Sequence, residues 1–174
     1  MKEQQQTLSQ LDIVILLKII ALGDKPWLQS NLAESLHISQ SEVSKSFTRS
    51  KYAGLLDASA KKVSRLALME LLQYGIRYVF PQQPGAIVRG IATAHAAPPL
   101  NIIIKSEEPY VWPSAKGNVR GQCILPLYPS VIEAVKKDNK LYELLALVDA
   151  IRVGRAREKE MAIKELKKHL VDGK

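Results

Sequence analysis

Residues 28–56 read LQSNLAESLHISQSEVSKSFTRSKYAGLL, and the periodicity of this stretch sets the architecture. It predicts two helices joined by a tight turn. The first covers residues 29–36, with Leu32, Ala33 and Leu36 on one face at helical spacing. His37, Ile38 and Ser39 form the turn. Ser39 then opens the second helix, residues 40–52, with Glu42 three positions on. That is a capping box, in which serine and glutamate satisfy two orphan donors at a helix start. Val43 and Phe47 lie four apart and supply the inward side. The other side offers Gln40, Ser41, Ser44, Lys45, Thr48 and Arg49, all short hydrogen-bonders or cations. A face of this kind fits a DNA major groove, with its first residues at base edges and its cations at phosphates.

The run from Leu32 through Leu56 resembles the helix-turn-helix of winged-helix bacterial transcriptional regulators of the MarR-like group. Ala33 after Leu32, apolar Ile38 in the turn and the terminal Ala53-Gly54-Leu55-Leu56 carry the likeness. It covers the N-terminal third of the chain. It implies a DNA-binding domain in which residues 40–52 read sequence. It also implies a homodimer, since one small helix-turn-helix covers a half-site. Base edges fall to Gln40, Ser41, Ser44 and Lys45; phosphates fall to Thr48, Arg49 and Lys51. Replacing Lys45 and Arg49 together by alanine is expected to abolish specific binding and leave the fold intact. A polar face is also what any solvated helix has, and some winged helices bind only protein.

Outward from this stretch, composition sets limits. The chain has 174 residues, 47% hydrophobic and 24% charged, which is the balance of a globular protein with a core of its own. Net charge is +8, favouring a polyanionic partner. Between residues 40 and 65 stand Lys45, Arg49, Lys51, Lys61, Lys62 and Arg65 against Glu42 and Asp57, an excess of four positive charges. Lys61, Lys62 and Arg65 either reach the phosphate backbone or sit in a solvated loop. One cysteine, Cys123, permits no internal disulfide and fits a reducing compartment. The polar start, MKEQQQTLSQLD, is no signal peptide, and the apolar run of residues 13–17 is too short to span a bilayer. A cytoplasmic protein is expected.

The fold class expected is α+β and mainly α, with two regions. Residues 1–80 hold the winged helix-turn-helix; residues 81–174 hold a β-rich part (81–129) and helices (130–171). Residues 1–6 are expected to fray. A helix over residues 9–22 shows a broad apolar stripe with Lys18 as a gap to solvent, ended by Gly23. Trp27 packs on the helix that follows. The wing is missing as a pattern: no alternating second strand follows Leu56, and residues 63–74 read helical up to a break at Gly75. Residues 76–80 are a short strand or more helix. Residues 81–129 gather most of the prolines around strand-like pieces at 86–92, 100–104, 110–112 and 119–127. Ser130 and Glu133 suggest a capping box, and Asp138 a cap for the next helix. Leu141, Leu144, Leu145, Val148 and Ile151 make an apolar stripe that either seats a second copy or packs on its own domain. Gly154 is a turn or a tolerated helix glycine.

No chemistry-bearing constellation appears. His37, His95 and His169 are far apart, Cys123 lies in a strand-like run, and no phosphate loop or carboxylate pair is present. No enzyme activity, metal or cofactor is expected. Arg152, Arg155 and Arg157 are read as solvated, or as contacts to DNA or an acidic partner. The alternative to a DNA-binding regulator is an antitoxin-like protein-interaction module whose winged helix only autoregulates, with the C-terminal region holding a protein partner.

Overall fold

A computed structural model describes residues 6–173; the expected fraying of residues 1–5 lies outside them. The fold is α+β, 54% helical with a small three-stranded sheet. Helix α1 (Gln10–Leu22) is its axis. Its sequence, QLDIVILLKIIAL, is apolar almost all round, and every residue from Leu11 to Ile20 is buried. A helix hydrophobic on all sides has to be enclosed. Helix α3 (Gln40–Tyr52) and helix α7 (Asn139–Val153) pack on it. Lys18 is therefore no gap to solvent. It is 8% exposed, and its ammonium meets Asp138 at 2.6 Å. Gly23 ends α1 at φ 62°, a conformation a side chain would strain.

Helix α2 (Gln29–Ser35) precedes α3, and the turn between them passes through His37 at φ 55°. After α3, where the sequence shows no second wing strand, one antiparallel bridge joins Leu56 and Val63. The Asp57 carboxylate closes the turn between them by accepting from the Lys61 and Lys62 amides, each at 2.9 Å. The following helix does not stop at Gly75. Helix α4 (Arg65–Glu70) runs through a π turn (Leu71–Gly75) into α5 (Ile76–Val79). The wider turn takes in the glycine without ending the helix.

Strands β1 (Ile87–Thr93), β2 (Tyr110–Pro113) and β3 (Val119–Cys123) close into a miniature barrel. β1 pairs antiparallel with both others, and β2 and β3 run parallel. So tight a closure needs missing side chains: a Cβ on Gly90 would lie 2.0 Å from the Trp112 carbonyl oxygen, and one on Gly121 2.3 Å from that of Pro109. The strand expected over 100–104 is instead a 3₁₀ turn (Leu100–Ile102) with Leu100 buried. The preceding Pro98 and Pro99 have no N–H to give a ladder.

Helix α6 (Val131–Ala134) starts without the expected capping box. Ser130 already has helical φ and ψ, and its hydroxyl is buried without a partner among the described residues. Asp138 does cap α7, accepting from the Leu141 amide at 3.0 Å. Gly154 separates α7 from α8 (Ala156–Leu170). The stripe from Leu141 to Ile151 is buried in the chain's own core, so it offers no surface to a second copy. One apolar cluster runs from Leu11 to Leu170, through both the N-terminal and the C-terminal regions.

Arg152 is likewise not solvated. It is 3% exposed, pairs with Asp149 at 3.0 Å and donates through Nε to the Phe80 carbonyl. Asp149 Oδ2 also accepts from Thr93 Oγ1 and Trp112 Nε1, both at 2.7 Å. Burial pushes the Asp149 carboxyl up, while Arg152 and these donors pull it down. An indole N–H can only donate, so the carboxyl oxygen it meets must accept. This cluster ties the barrel to α7 and to the end of α5. Among the described residues, no helix is long and apolar enough to cross a membrane.

Candidate nucleic-acid interface

Helix α3 has the bounds expected from its sequence, because its start is specified locally. The Ser39 amide donates to Glu42 Oε2 at 2.8 Å, and the Glu42 amide donates to Ser39 Oγ at 3.1 Å. The Tyr128 hydroxyl, from the segment after β3, donates to the other Glu42 oxygen at 2.9 Å. The Ser39 amide, then Tyr128, hold the Glu42 carboxyl below its usual range, and the Tyr128 phenol is raised in return. Glu42 thus fastens the start of α3 to the C-terminal half of the chain.

Val43, Ser46, Phe47 and Ser50 form the buried face of α3. A helix with that inward side must turn Ser41, Lys45, Thr48 and Tyr52 outward, and all four are exposed. Gln40, Ser44 and Lys51 flank them and are also exposed. Thr48 spends its hydroxyl hydrogen on the Ser44 carbonyl at 3.2 Å and keeps its acceptor lone pairs. Tyr52, 76% exposed at the end of this stripe, is a contact candidate absent from the sequence-derived set. Its place four residues after Thr48 is the signal that marks it.

Two of the expected contacts are withdrawn from this surface. Arg49 turns back onto α1, where its Nε and Nη2 meet the two oxygens of Asp12 at 2.8 and 2.7 Å. The bond to Asp12 raises the Arg49 pKa further. Asp12 is fully buried, so Arg49 is its counter-ion and not a free phosphate ligand. For the same reason the Lys45→Ala with Arg49→Ala variant is expected to lose stability as well as binding. Arg65 donates to the carbonyls of His169 and Leu170 at 3.1 and 3.4 Å, capping the C-terminus of α8.

Lys61 and Lys62 lie in the turn beyond α3, and both are exposed. The Lys61 ammonium sits 4.3 Å from the ring centre of Trp27, and that ring packs on Phe47 of α3 at 6.1 Å. At an exposed site this attraction is worth about 0.5–1 kcal/mol, so it biases the Lys61 ammonium toward the ring without withdrawing it from the surface. Lys62 extends free of any ion pair among the described residues. Gln40, Ser41, Ser44, Lys45, Thr48, Lys51, Lys61 and Lys62 therefore form the accessible set. A cleft of about 370 Å³ adjoins it, between the start of α1, Lys45 and Tyr128.

Among the described residues, no three His, Cys, Asp or Glu side chains cluster so as to hold a metal ion. His95 is buried, with Nε2 3.0 Å from the Glu108 carbonyl oxygen and its ring edge-on to Tyr110. Cys123 is half-buried, and that burial pushes its thiol up, away from the thiolate. Comparison with protein-family models, with curated proteins and with solved structures finds no match.

Proposed function

We propose that the chain is a sequence-specific DNA-binding regulator in which α3 enters the major groove as the second helix of a helix-turn-helix. The observation that carries this reading is the outer stripe of α3. It is polar and basic, and it is solvent-exposed over the whole helix. Gln40, Ser41 and Ser44 take base edges, Lys45 and Lys51 take base edges or phosphates, and Thr48 donates to a phosphate oxygen once its hydroxyl hydrogen turns away from the Ser44 carbonyl. Lys61 and Lys62 reach a flanking phosphate from the turn that stands in place of a wing. Two copies on a twofold operator would put two such helices in successive grooves; their contact lies elsewhere than α7, which is buried.

The test is a salt series of binding to the DNA upstream of the protein's own gene, against scrambled DNA. Lys45→Ala with Lys51→Ala should cost about 1–3 kcal/mol in specific binding and lower the salt slope by about 1–2. Unchanged affinity in that variant refutes the assignment. A second reading, a protein-interaction module of the antitoxin kind, draws on Leu66, Tyr74, Tyr78 and Val79. These are all more than half exposed along residues 65–79. A partner that co-purifies with the wild type and is lost from Tyr74→Glu, with equal weak binding to both DNAs, would favour it.

A further inference from the structure

The barrel carries cations of its own, in an arrangement the fold does not balance. Arg89 on β1 and Arg120 on β3 are direct partners in the antiparallel register, and both are exposed. Directly opposed residues hold their Cβ atoms about 5 Å apart on one face, where like charges work against pairing. The next pair on that face, Ile87 and Gln122, brings no acid. Neither arginine takes part in an ion pair among the described residues. Ser114 donates its amide to the Arg89 carbonyl at 3.1 Å, which folds the 114–118 turn, with exposed Lys116, beside the arginine pair.

Two forked guanidiniums side by side match the oxygens of a phosphate or of a carboxylate pair. Their position favours the phosphates of DNA held by α3. Pro113, the residue before the 114–118 turn, lines a cleft together with Tyr128. Tyr128, five residues beyond β3, is bonded to Glu42 on α3 itself.

We propose that Arg89 and Arg120, with Lys116 beside them, form a second phosphate-gripping surface that holds the DNA backbone flanking the segment read by α3. This rests on the reading of α3 as a DNA-contacting helix. Base discrimination stays with α3, and the barrel adds affinity without sequence preference.

The full chain is titrated with a 60-base-pair duplex of its own upstream DNA, and with a scrambled duplex, from about 50 to 300 mM salt. Arg89→Gln with Arg120→Gln should reduce the salt slope by about 1.8, which is roughly a sixtyfold loss of affinity at 0.1 M salt. Each single variant should remove about half of that slope change. The ratio of own to scrambled binding should hold, and the thermal midpoint should stay or rise as the charge conflict is relieved. Wild-type binding with an unchanged slope in the double variant overturns this proposal and leaves the α3 reading standing. A fall in the own-to-scrambled ratio at constant slope overturns it too. Equal, weak binding of both duplexes by the wild type overturns the α3 reading and this proposal with it.

Discussion

Arg49→Ala should lower stability, and lower it far more than Lys45→Ala on the same helix. Asp12 lies in the first turn of α1 with no exposed surface. Its two oxygens accept from Arg49 Nη2 and Nε at 2.7 and 2.8 Å, and Nη2 also reaches Ser9 Oγ at 3.3 Å. Among the described residues, truncating Arg49 leaves the carboxylate the Ser9 amide, at 2.7 Å. Removing one partner of a buried ion pair costs about 3–5 kcal/mol. The Arg49 side chain keeps 23% of its exposure, so water enters the gap and the cost falls to about 2–3 kcal/mol. In a chain of this size that lowers Tm by roughly 5–10 °C. Lys45 has no such partner, and its removal should stay within about 0.5 kcal/mol. Urea unfolding followed by far-ultraviolet circular dichroism measures both. Asp12→Ala in the same background completes a double-mutant cycle, whose coupling should exceed about 1.5 kcal/mol. A loss below about 0.5 kcal/mol in Arg49→Ala, or additivity in the cycle, would show that Arg49 is not the counter-ion of Asp12 and return it to the DNA-facing set.

Three further outcomes are expected. Trp112→Phe removes the donor to Asp149 Oδ2 and should cost about 1–3 kcal/mol in urea unfolding, while Tyr110→Phe, whose hydroxyl makes no hydrogen bond among the described residues, should not. Gly90→Ala would set a Cβ 2.0 Å from the Trp112 carbonyl oxygen and 3.0 Å from Val111 Cβ; the barrel should open at a cost of about 3 kcal/mol or more, seen as loss of the near-ultraviolet tryptophan signal. The Glu42 carboxyl is depressed in the fold, so its contribution is complete above its unfolded value of 4.5 and is lost as pH falls through the lower folded value. Glu42→Gln should therefore flatten the stability curve below about pH 4.5, and Tyr128→Phe should do so in part; parallel curves for wild type and Glu42→Gln would refute this.

Helix α3 was legible in the sequence because everything that defines it is local. Its cap, Ser39 with Glu42, spans three residues, and its inward pair, Val43 with Phe47, spans four. Asp138 was legible for the same reason; Gly154 was not, since local spacing left it as a turn or as a tolerated helix glycine. The register of the barrel was not, since β1 pairs with residues 17 to 35 positions further along the chain and the decisive feature is the absence of a side chain at Gly90 and Gly121. The stripe on α7 was legible as apolar, but apolar spacing does not say whether one's own chain or another covers it. Among the proposed contacts, the two that left the surface, Arg49 and Arg65, both bind partners distant in sequence, 37 residues away in one case and 104 in the other. Both losses had a trace in the sequence. Asp12 is the one acid in an otherwise apolar helical run, and an acid there must bring in a cation because it cannot be buried alone. The last turn of α8 is followed within three residues by Gly173, and its carbonyls need a donor from elsewhere. A basic helix face is thus best read together with the unmatched acids and uncapped helix ends in the rest of the chain. Applied here, that rule takes away Arg49 and Arg65. It leaves Lys45, Lys51, Lys61 and Lys62 on the accessible face, and Arg89, Arg120 and Lys116 at the barrel, none of them in an ion pair among the described residues.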